Sequence, residues 1–192
     1  LETWWDCTNP MPDIAGLTAL TERLLRLAGP EGAAPPVRFM RWLMRKPAGR
    51  MPADLEALVR RLASALPPLP TREHRGERML APADRFDFKK NIENPELYAV
   101  FPFRLIAVGK PNIDLGIRAF NARLDRGSHG WRQDDIFAAY LGMPDEAAKL
   151  LTARARRRHE ASRFPAFWGP NYDWVPDQDH GGVLMRALQA ML

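Results

Sequence analysis

Hydrophobic residues recur at helical spacing along most of this chain, and their pattern predicts seven or eight helices. In the first helix the apolar positions follow one another at intervals of three or four residues: Ile14, Leu17, Leu20, Leu24 and Leu27. The complete set of predicted helices covers residues 14–28, 37–46, 53–66, 96–109, 111–124, 131–141, 145–159 and 183–192.

Glycine and proline residues mark the boundaries between these helices. Gly142 stands where a residue in the left-handed conformation closes a helix, and Pro144 stands at the first position of the next. Helices joined by such short turns pack as antiparallel hairpins, and no convincing pair of strands is evident. The pattern therefore predicts an all-α fold, built as an array of antiparallel helical hairpins.

The stretch from residue 67 to residue 95 interrupts the helical pattern. It opens with the sequence PPLP, has little apolar periodicity and suggests at most a brief hairpin near Gly76. Connections of this length are commonly functional or disordered. We interpret it as an irregular connection with a functional role, because it leads into a dense polar cluster, NIENPELY, at residues 91–98.

The densest group of chemically active side chains lies at residues 171–182, with the sequence NYDWVPDQDHGG. Proline and the Gly181-Gly182 pair predict a loop leading into the last helix, and Asp177 and Asp179 lie in that loop. Carboxylates beside aromatic rings suit a sugar site, because the acids bind hydroxyls and the rings pack on the sugar face. The alternative is that these acids cap the last helix and the aromatics are core.

Composition narrows the possible partners. The chain has 192 residues, 46% of them hydrophobic, which is enough for one domain with a core. Its net charge of +5 would suit nucleic acid or an anionic glycan. The arginines are scattered, however. The one dense run begins at Arg154, and we interpret it as a solvated helix end whose positive charges interact favourably with the helix dipole. We therefore expect no nucleic-acid partner.

Other classes of site find little support in the sequence. Cys7 is the single cysteine, which excludes an internal disulfide and any multi-cysteine metal site. No two histidines have ligand spacing, so we predict no metal and no cofactor. No apolar run is long enough to span a membrane, and no membrane partner is expected.

Three motifs together resemble a known family. The sequences ENPELYAVFP, GWRQDDIFAAYLG and DQDHGG, the last one before an apolar helix, are similar to the C-terminal half of (α/α)6-barrel glycoside hydrolases. The greatest similarity is to the inverting α-L-fucosidase-type enzymes of glycoside hydrolase family 95, over most of residues 90–192. The resemblance implies a carbohydrate substrate, a partial (α/α) toroid, and a periplasmic or extracellular location.

The resemblance also implies roles for individual residues. Aligned on Gly181-Gly182, the family's catalytic aspartate falls on Asp177, which would activate water for inverting hydrolysis, and Asp179 would adjust its ionisation. The residues predicted to bind substrate are Glu93, Asn94, Glu96, Trp131, Arg132, Asp134, Trp168, Trp174 and His180. Alternatively, Glu93 and Glu96 cap a helix and Trp131 anchors the core.

The chain departs from the family pattern at several positions. Family histidines are replaced by Asn94 and its polar neighbours, which puts fucose specificity in doubt, and Asp179 stands where the family has asparagine. The family's general acid has no clear match, and Glu2 is the nearest candidate. The first 90 residues match only vaguely.

The helix count has a consequence for assembly. A closed six-hairpin barrel has twelve helices, so residues 1–192 would be one domain forming the C-terminal part of a larger catalytic domain. We expect upstream chain or self-association to complete it. The alternative function is a non-catalytic helical module that binds sugar or a protein partner.

Overall fold

Helices dominate the described structure, a computed structural model that describes residues 3–28, 51–157 and 179–192. The helices in this part of the chain are α1 Met11–Ala28, α2 Ala53–Ala65, α3 Ile113–Ala122, α4 Asp134–Tyr140, α5 Pro144–Arg156 and α6 Asp179–Met191. A mostly helical fold is therefore confirmed. The helix predicted over residues 37–46 lies outside the described residues. None of the described helices is both long and apolar enough to cross a membrane.

Two small antiparallel sheets accompany the helices, so the expectation that the chain contains no strand pair is wrong. Strand β1 (Thr8–Pro10) pairs with β4 (Ala83–Arg85), and β2 (Thr71–His74) pairs with β3 (Glu77–Leu80). The brief hairpin near Gly76 is confirmed: Arg75 and Gly76 both have positive φ, at 53° and 79°. Two successive positive φ values characterise the type I′ turn, whose twist matches that of a hairpin.

The connection at residues 67–95 is more ordered than its sequence indicates. The β1–β4 pairing continues toward the N-terminus, where the amide of Asp87 donates to the carbonyl of Trp5 at 3.1 Å and that of Lys90 donates to the carbonyl of Thr3 at 2.7 Å. This ribbon places Thr3 close to the polar cluster that follows residue 90.

Several predicted helix boundaries are wrong, and three of the differences concern segments with predicted site residues. In place of a helix over 96–109 there is a short 3-10 helix, Pro95–Ala99, because Pro102 has no amide hydrogen and restricts the residue before it. Helix α4 begins at Asp134 rather than at residue 131. Helix α6 begins at Asp179, four residues earlier than predicted, so Asp179 is a first-turn helix residue, where its charge suits the helix dipole.

One hydrophobic core connects these elements. Helices α4, α5 and α6 pack against one another, α1 packs against α2 and the 3-10 helix, and α3 packs against β3. The largest apolar side chains in this core are fully buried: Met11, Leu80, Leu97, Val100, Phe120, Ile136 and Leu141. Each stabilises the fold by about 1.5–3 kcal/mol relative to an exposed position. The core thereby fixes the 3-10 helix relative to the start of α4.

The turn between α4 and α5 has the hydrogen bonds of a Schellman motif. The amide of Gly142 donates to the carbonyl of Ala139 at 3.1 Å, and that of Met143 donates to the carbonyl of Ala138 at 2.9 Å. Gly142 has φ +71°, and an added Cβ would lie 2.7 Å from Cγ2 of Val108. Both the conformation and the contact require glycine here.

We predict that Gly142→Ala lowers the free energy of unfolding by about 1–2 kcal/mol, because it places a side chain in the left-handed region and against Val108. Gly182→Ala is the matched control. Gly182 lies in α6, and a Cβ added there would point into open space, so alanine should be neutral or stabilising by up to about 1 kcal/mol. Urea denaturation measures both values, and equal effects of the two changes would contradict the prediction.

Candidate functional site

Residues from separate segments of the chain meet at a small recess beside the start of α4. Its volume is about 20 Å³, which is enough for one water-sized group. The residues around it are Ile92, Glu93, Asn94, Tyr98, Asp125, Trp131, Arg132, Gln133, Asp134 and Phe137. We call this the Glu93–Trp131 recess. It brings together five of the predicted substrate-binding residues: Glu93, Asn94, Trp131, Arg132 and Asp134.

Glu93 is held from two sides. The hydroxyl of Thr3 donates to Oε2 of Glu93 at 2.7 Å, and the hydroxyl of Tyr98 lies 3.4 Å from Oε1. Burial, and then the charge of Glu93 and the hydrogen bond to it, raise the pKa of Tyr98 to about 12. Tyr98 therefore stays protonated at neutral pH and remains a donor to this carboxylate.

Asn94 joins the segment before the 3-10 helix to the loop after α3. Its side-chain amide donates to the carbonyl of Asp125 at 2.8 Å, and its side-chain oxygen accepts from the amide of Asp125 at 3.3 Å. The carboxylate of Asp125 in turn forms an ion pair with Lys89. The side chain of Asn94 is thus committed to positioning one wall of the recess.

Asp134 is buried in an ion pair with Arg123. The Nε of Arg123 donates to Oδ2 of Asp134 at 3.0 Å, and the amide of Gly127 donates to the same oxygen at 2.9 Å. A buried charge is tolerated only where such partners replace water. Asp134 therefore fixes the loop between α3 and α4 at the base of the recess.

A second buried ion pair holds the backbone next to the recess. Arg154 of α5 and Asp135 of α4 are both 0% exposed, and Nε of Arg154 lies 2.7 Å from Oδ2 of Asp135. NH1 of Arg154 donates to the carbonyl of Gly130 at 2.7 Å, and NH2 donates to the carbonyl of Arg132. Arg154 thus holds the backbone on both sides of Trp131. The interpretation of Arg154 as part of a solvated helix end is wrong.

His180 attaches α6 to the same backbone. The amide of Gly130 donates to Nδ1 of His180 at 3.2 Å, and Nε2 lies 3.0 Å from the carbonyl of Arg154. An amide can only donate and a carbonyl can only accept, so the contacts fit the neutral ring with its proton on Nε2. His180 is fully buried, and its described contacts place it next to the recess as a support.

Glu96 lies buried in the 3-10 helix, outside the lining of the recess. Burial raises the pKa of this carboxyl, and its own backbone amide and the charges of Arg72, Lys89 and Arg123 oppose that change. Its ionised form is therefore less favourable in the folded protein than in water.

The remaining predicted site residues fall into two groups. Asp179 is exposed in the first turn of α6. Asp177, Trp168 and Trp174 lie outside the described residues, so their predicted roles remain predictions. Within the described ranges, no group of three or more histidine, cysteine, aspartate or glutamate side chains could hold a metal ion.

Sequence reasoning missed the supporting residues Thr3, Tyr98, Asp125 and Arg154. Thr3 and Asp125 carry no local signal, because their partners lie 90 and 31 residues away along the chain. The burial of Arg154, in contrast, was predictable from the sequence. This residue continues the apolar row of α5 at helical spacing from Ala147, which is also fully buried.

We predict that Arg154→Lys lowers the free energy of unfolding by about 3–5 kcal/mol, because lysine keeps the charge but cannot donate to Asp135 and to the carbonyls of Gly130 and Arg132 at the same time. Arg156→Lys is the matched control, since Arg156 is exposed in the last turn of the same helix. Urea unfolding gives both values. A loss below about 1 kcal/mol for Arg154→Lys would mean that the pair is dispensable.

We also predict a pH-dependent effect of Glu96→Gln. A carboxyl whose pKa is raised by folding stabilises the protein fully below its unfolded pKa of about 4.3, and this contribution is lost as pH rises through the folded pKa. Glutamine has no such loss. The stability of Glu96→Gln relative to the parent protein should therefore increase between about pH 4 and pH 7.

The control for that measurement is Glu77→Gln, since Glu77 is exposed on β3. Thermal unfolding of the three proteins across the pH range tests the prediction. A relative stability of Glu96→Gln that is constant or decreases with pH would contradict it.

Comparison of the chain with protein-family models, with curated proteins and with solved structures gave no match. The similarity of three short motifs to a glycoside hydrolase family therefore remains an expectation from sequence. The interpretation of the recess rests on the residues that form it.

Proposed function

We propose that this protein binds a carbohydrate at the Glu93–Trp131 recess and hydrolyses a glycosidic bond there. The observation that supports the proposal is the convergence of Glu93 and Trp131, from distant segments, on one recess. A half-buried indole offers a flat apolar face to a sugar ring, and a carboxylate beside it accepts hydrogen bonds from hydroxyls.

The size of the recess defines how a sugar would bind. About 20 Å³ holds one water-sized group, whereas a complete ligand pocket is usually larger than about 300 Å³. The sugar ring would therefore lie across the mouth of the recess, against Trp131, and only one substituent would enter. Glu93, held by Thr3 and Tyr98, would accept a hydroxyl of the ring.

The catalytic part of the proposal relies on Asp177 as the water-activating base. Support comes from the position of α6, whose His180 is hydrogen-bonded to Gly130, the residue before Trp131. The helix that follows Asp177 in the chain thus begins beside the recess. In an inverting mechanism this carboxylate would remove a proton from water while a protonated carboxyl assists the leaving group. The helices would form part of an (α/α) toroid, completed by further helices or by a second copy.

A second candidate is a non-catalytic module that binds sugar. Its support is that two acids of the recess lining already have cationic partners: Asp134 is paired with Arg123 and Asp125 with Lys89. Carboxylates committed to structural ion pairs are poor proton carriers. In this alternative the recess binds sugar and Asp177 has no role in turnover.

We predict that Asp177→Asn abolishes glycoside turnover and leaves sugar binding nearly unchanged. A loss of about four decades in rate corresponds to about 5 kcal/mol of transition-state stabilisation. Asp179→Asn should be milder, because Asp179 lies in the first turn of α6 and suits the helix dipole. Turnover of a panel of aryl glycosides and calorimetric titration with the corresponding sugars separate rate from affinity.

Trp131→Ala is the binding control, and it should weaken sugar binding by about tenfold or more through loss of the ring contact. Sugar binding without turnover in the parent protein would favour the non-catalytic module. A severe effect of Asp179→Asn with a mild effect of Asp177→Asn would place the base two residues later. No sugar binding by the parent protein would refute both functions.

A further inference from the structure

We propose that the ligand of the Glu93–Trp131 recess is an acidic carbohydrate, and that Arg132 binds its carboxylate or sulfate oxygen. This inference rests on the proposed sugar-binding function and adds the chemical class of the ligand. It depends on how Arg132 is held, on one unsatisfied donor atom and on the charges around the recess.

Arg132 is held in one position by its backbone and its side chain. Its amide donates to the carbonyl of His129 at 3.2 Å, and its own carbonyl accepts from Arg154. At the end of the side chain, NH1 donates to the carbonyl of Arg126 at 2.7 Å. A guanidinium fixed in this way loses little conformational entropy when a ligand binds.

Gly127 provides the space for this arrangement. A Cβ added to Gly127 would lie 2.9 Å from NH1 of Arg132 and 3.0 Å from its Cδ. Any larger residue at this position would displace the guanidinium. The amide of Gly127 is also tied to Asp134, so the backbone under Arg132 is fixed as well.

The Nε–H group of Arg132 is buried and has no hydrogen-bond acceptor among the described residues. Leaving a buried donor unsatisfied destabilises the folded protein, and more so when the group is charged. Arg132 lines a recess that admits one oxygen-sized group. An oxygen of the ligand that enters the recess would lie against this side chain and accept from the donor.

The surrounding charges favour a negatively charged oxygen. Arg132 donates to a backbone carbonyl, and no carboxylate of the described residues is paired with it. Two of the three acids in the lining are already neutralised, Asp134 by Arg123 and Asp125 by Lys89. Glu93 remains to accept sugar hydroxyls. The chain as a whole has a net charge of +5, which attracts an acidic polymer.

The test compares neutral oligosaccharides with uronate-containing and sulfated counterparts of the same backbone, first on a glycan array and then by calorimetric titration. The parent protein should bind an acidic member at least about tenfold more tightly than its neutral counterpart. The array also distinguishes a carboxylate from a sulfate. The preference should decrease as salt concentration rises, because salt screens the charge.

Arg132→Gln should reduce the ratio of acidic to neutral affinity from at least about ten to near one. Arg61→Gln is the control for net charge, since Arg61 is exposed on α2, away from the recess. Gly127→Ala is a second variant that displaces Arg132 without removing its charge, and it should also lower the ratio. Thermal unfolding shows whether each variant is folded.

Each outcome bears on a different claim. Binding of neutral sugars with no preference for acidic ones would overturn the role of Arg132 and leave the sugar-binding function standing. A preference that survives in folded Arg132→Gln, or that Arg61→Gln reduces equally, would overturn it as well. Failure of the parent protein to bind any glycan would refute the proposed function and this inference together.

Discussion

The burial of one guanidinium constrains much of this structure. Arg154 is withdrawn from water completely, and a charge in that position is stable only if every donor finds an acceptor. The acceptors come from the carboxylate of Asp135 and from the backbone on both sides of Trp131. The packing of α4 on α5, the conformation of the segment before α4 and the attachment of α6 therefore depend on one another.

A second ion pair, between Arg123 and Asp134, fixes the other side of the same segment. The consecutive acids Asp134 and Asp135 thus point to different partners, one in the loop after α3 and one in α5. This arrangement holds a short loop rigidly without regular secondary structure. Rigid support of that kind is what a binding site needs if its side chains are to meet a ligand without reorganisation.

Helix boundaries that depend on a single glycine or proline were predictable from the sequence. The glycine that closes α4 and the proline that opens α5 have conformational preferences that act within a few residues, and the structure places both boundaries there. The pairing of β1 with β4 was not predictable in the same way, since each strand has only three residues and the two lie far apart along the chain. The helix predicted over residues 96–109 does not form, because Pro102 interrupts it in spite of the helical spacing of the apolar residues.

The recess was predictable only in part. The polar cluster near residue 93 and the aromatic residue at 131 could be selected by composition, but their proximity depends on tertiary structure. Asn94, Asp134 and His180 are engaged in hydrogen bonds that hold the walls. No pattern in the sequence distinguishes a side chain that supports a wall from one that contacts a ligand, because both are polar and both lie near the same turns.

The hydrogen bond from Gly130 to His180 makes one backbone amide a reporter for the docking of α6. Amide protons exchange with solvent when their hydrogen bonds open, and the openings of different segments occur at different free energies. The Gly130 amide is covered by an imidazole that belongs to α6. Its exchange therefore follows the detachment of α6 and not the unfolding of α4, next to which it lies. A single resonance would thus reveal how firmly the C-terminal helix is held beside the recess.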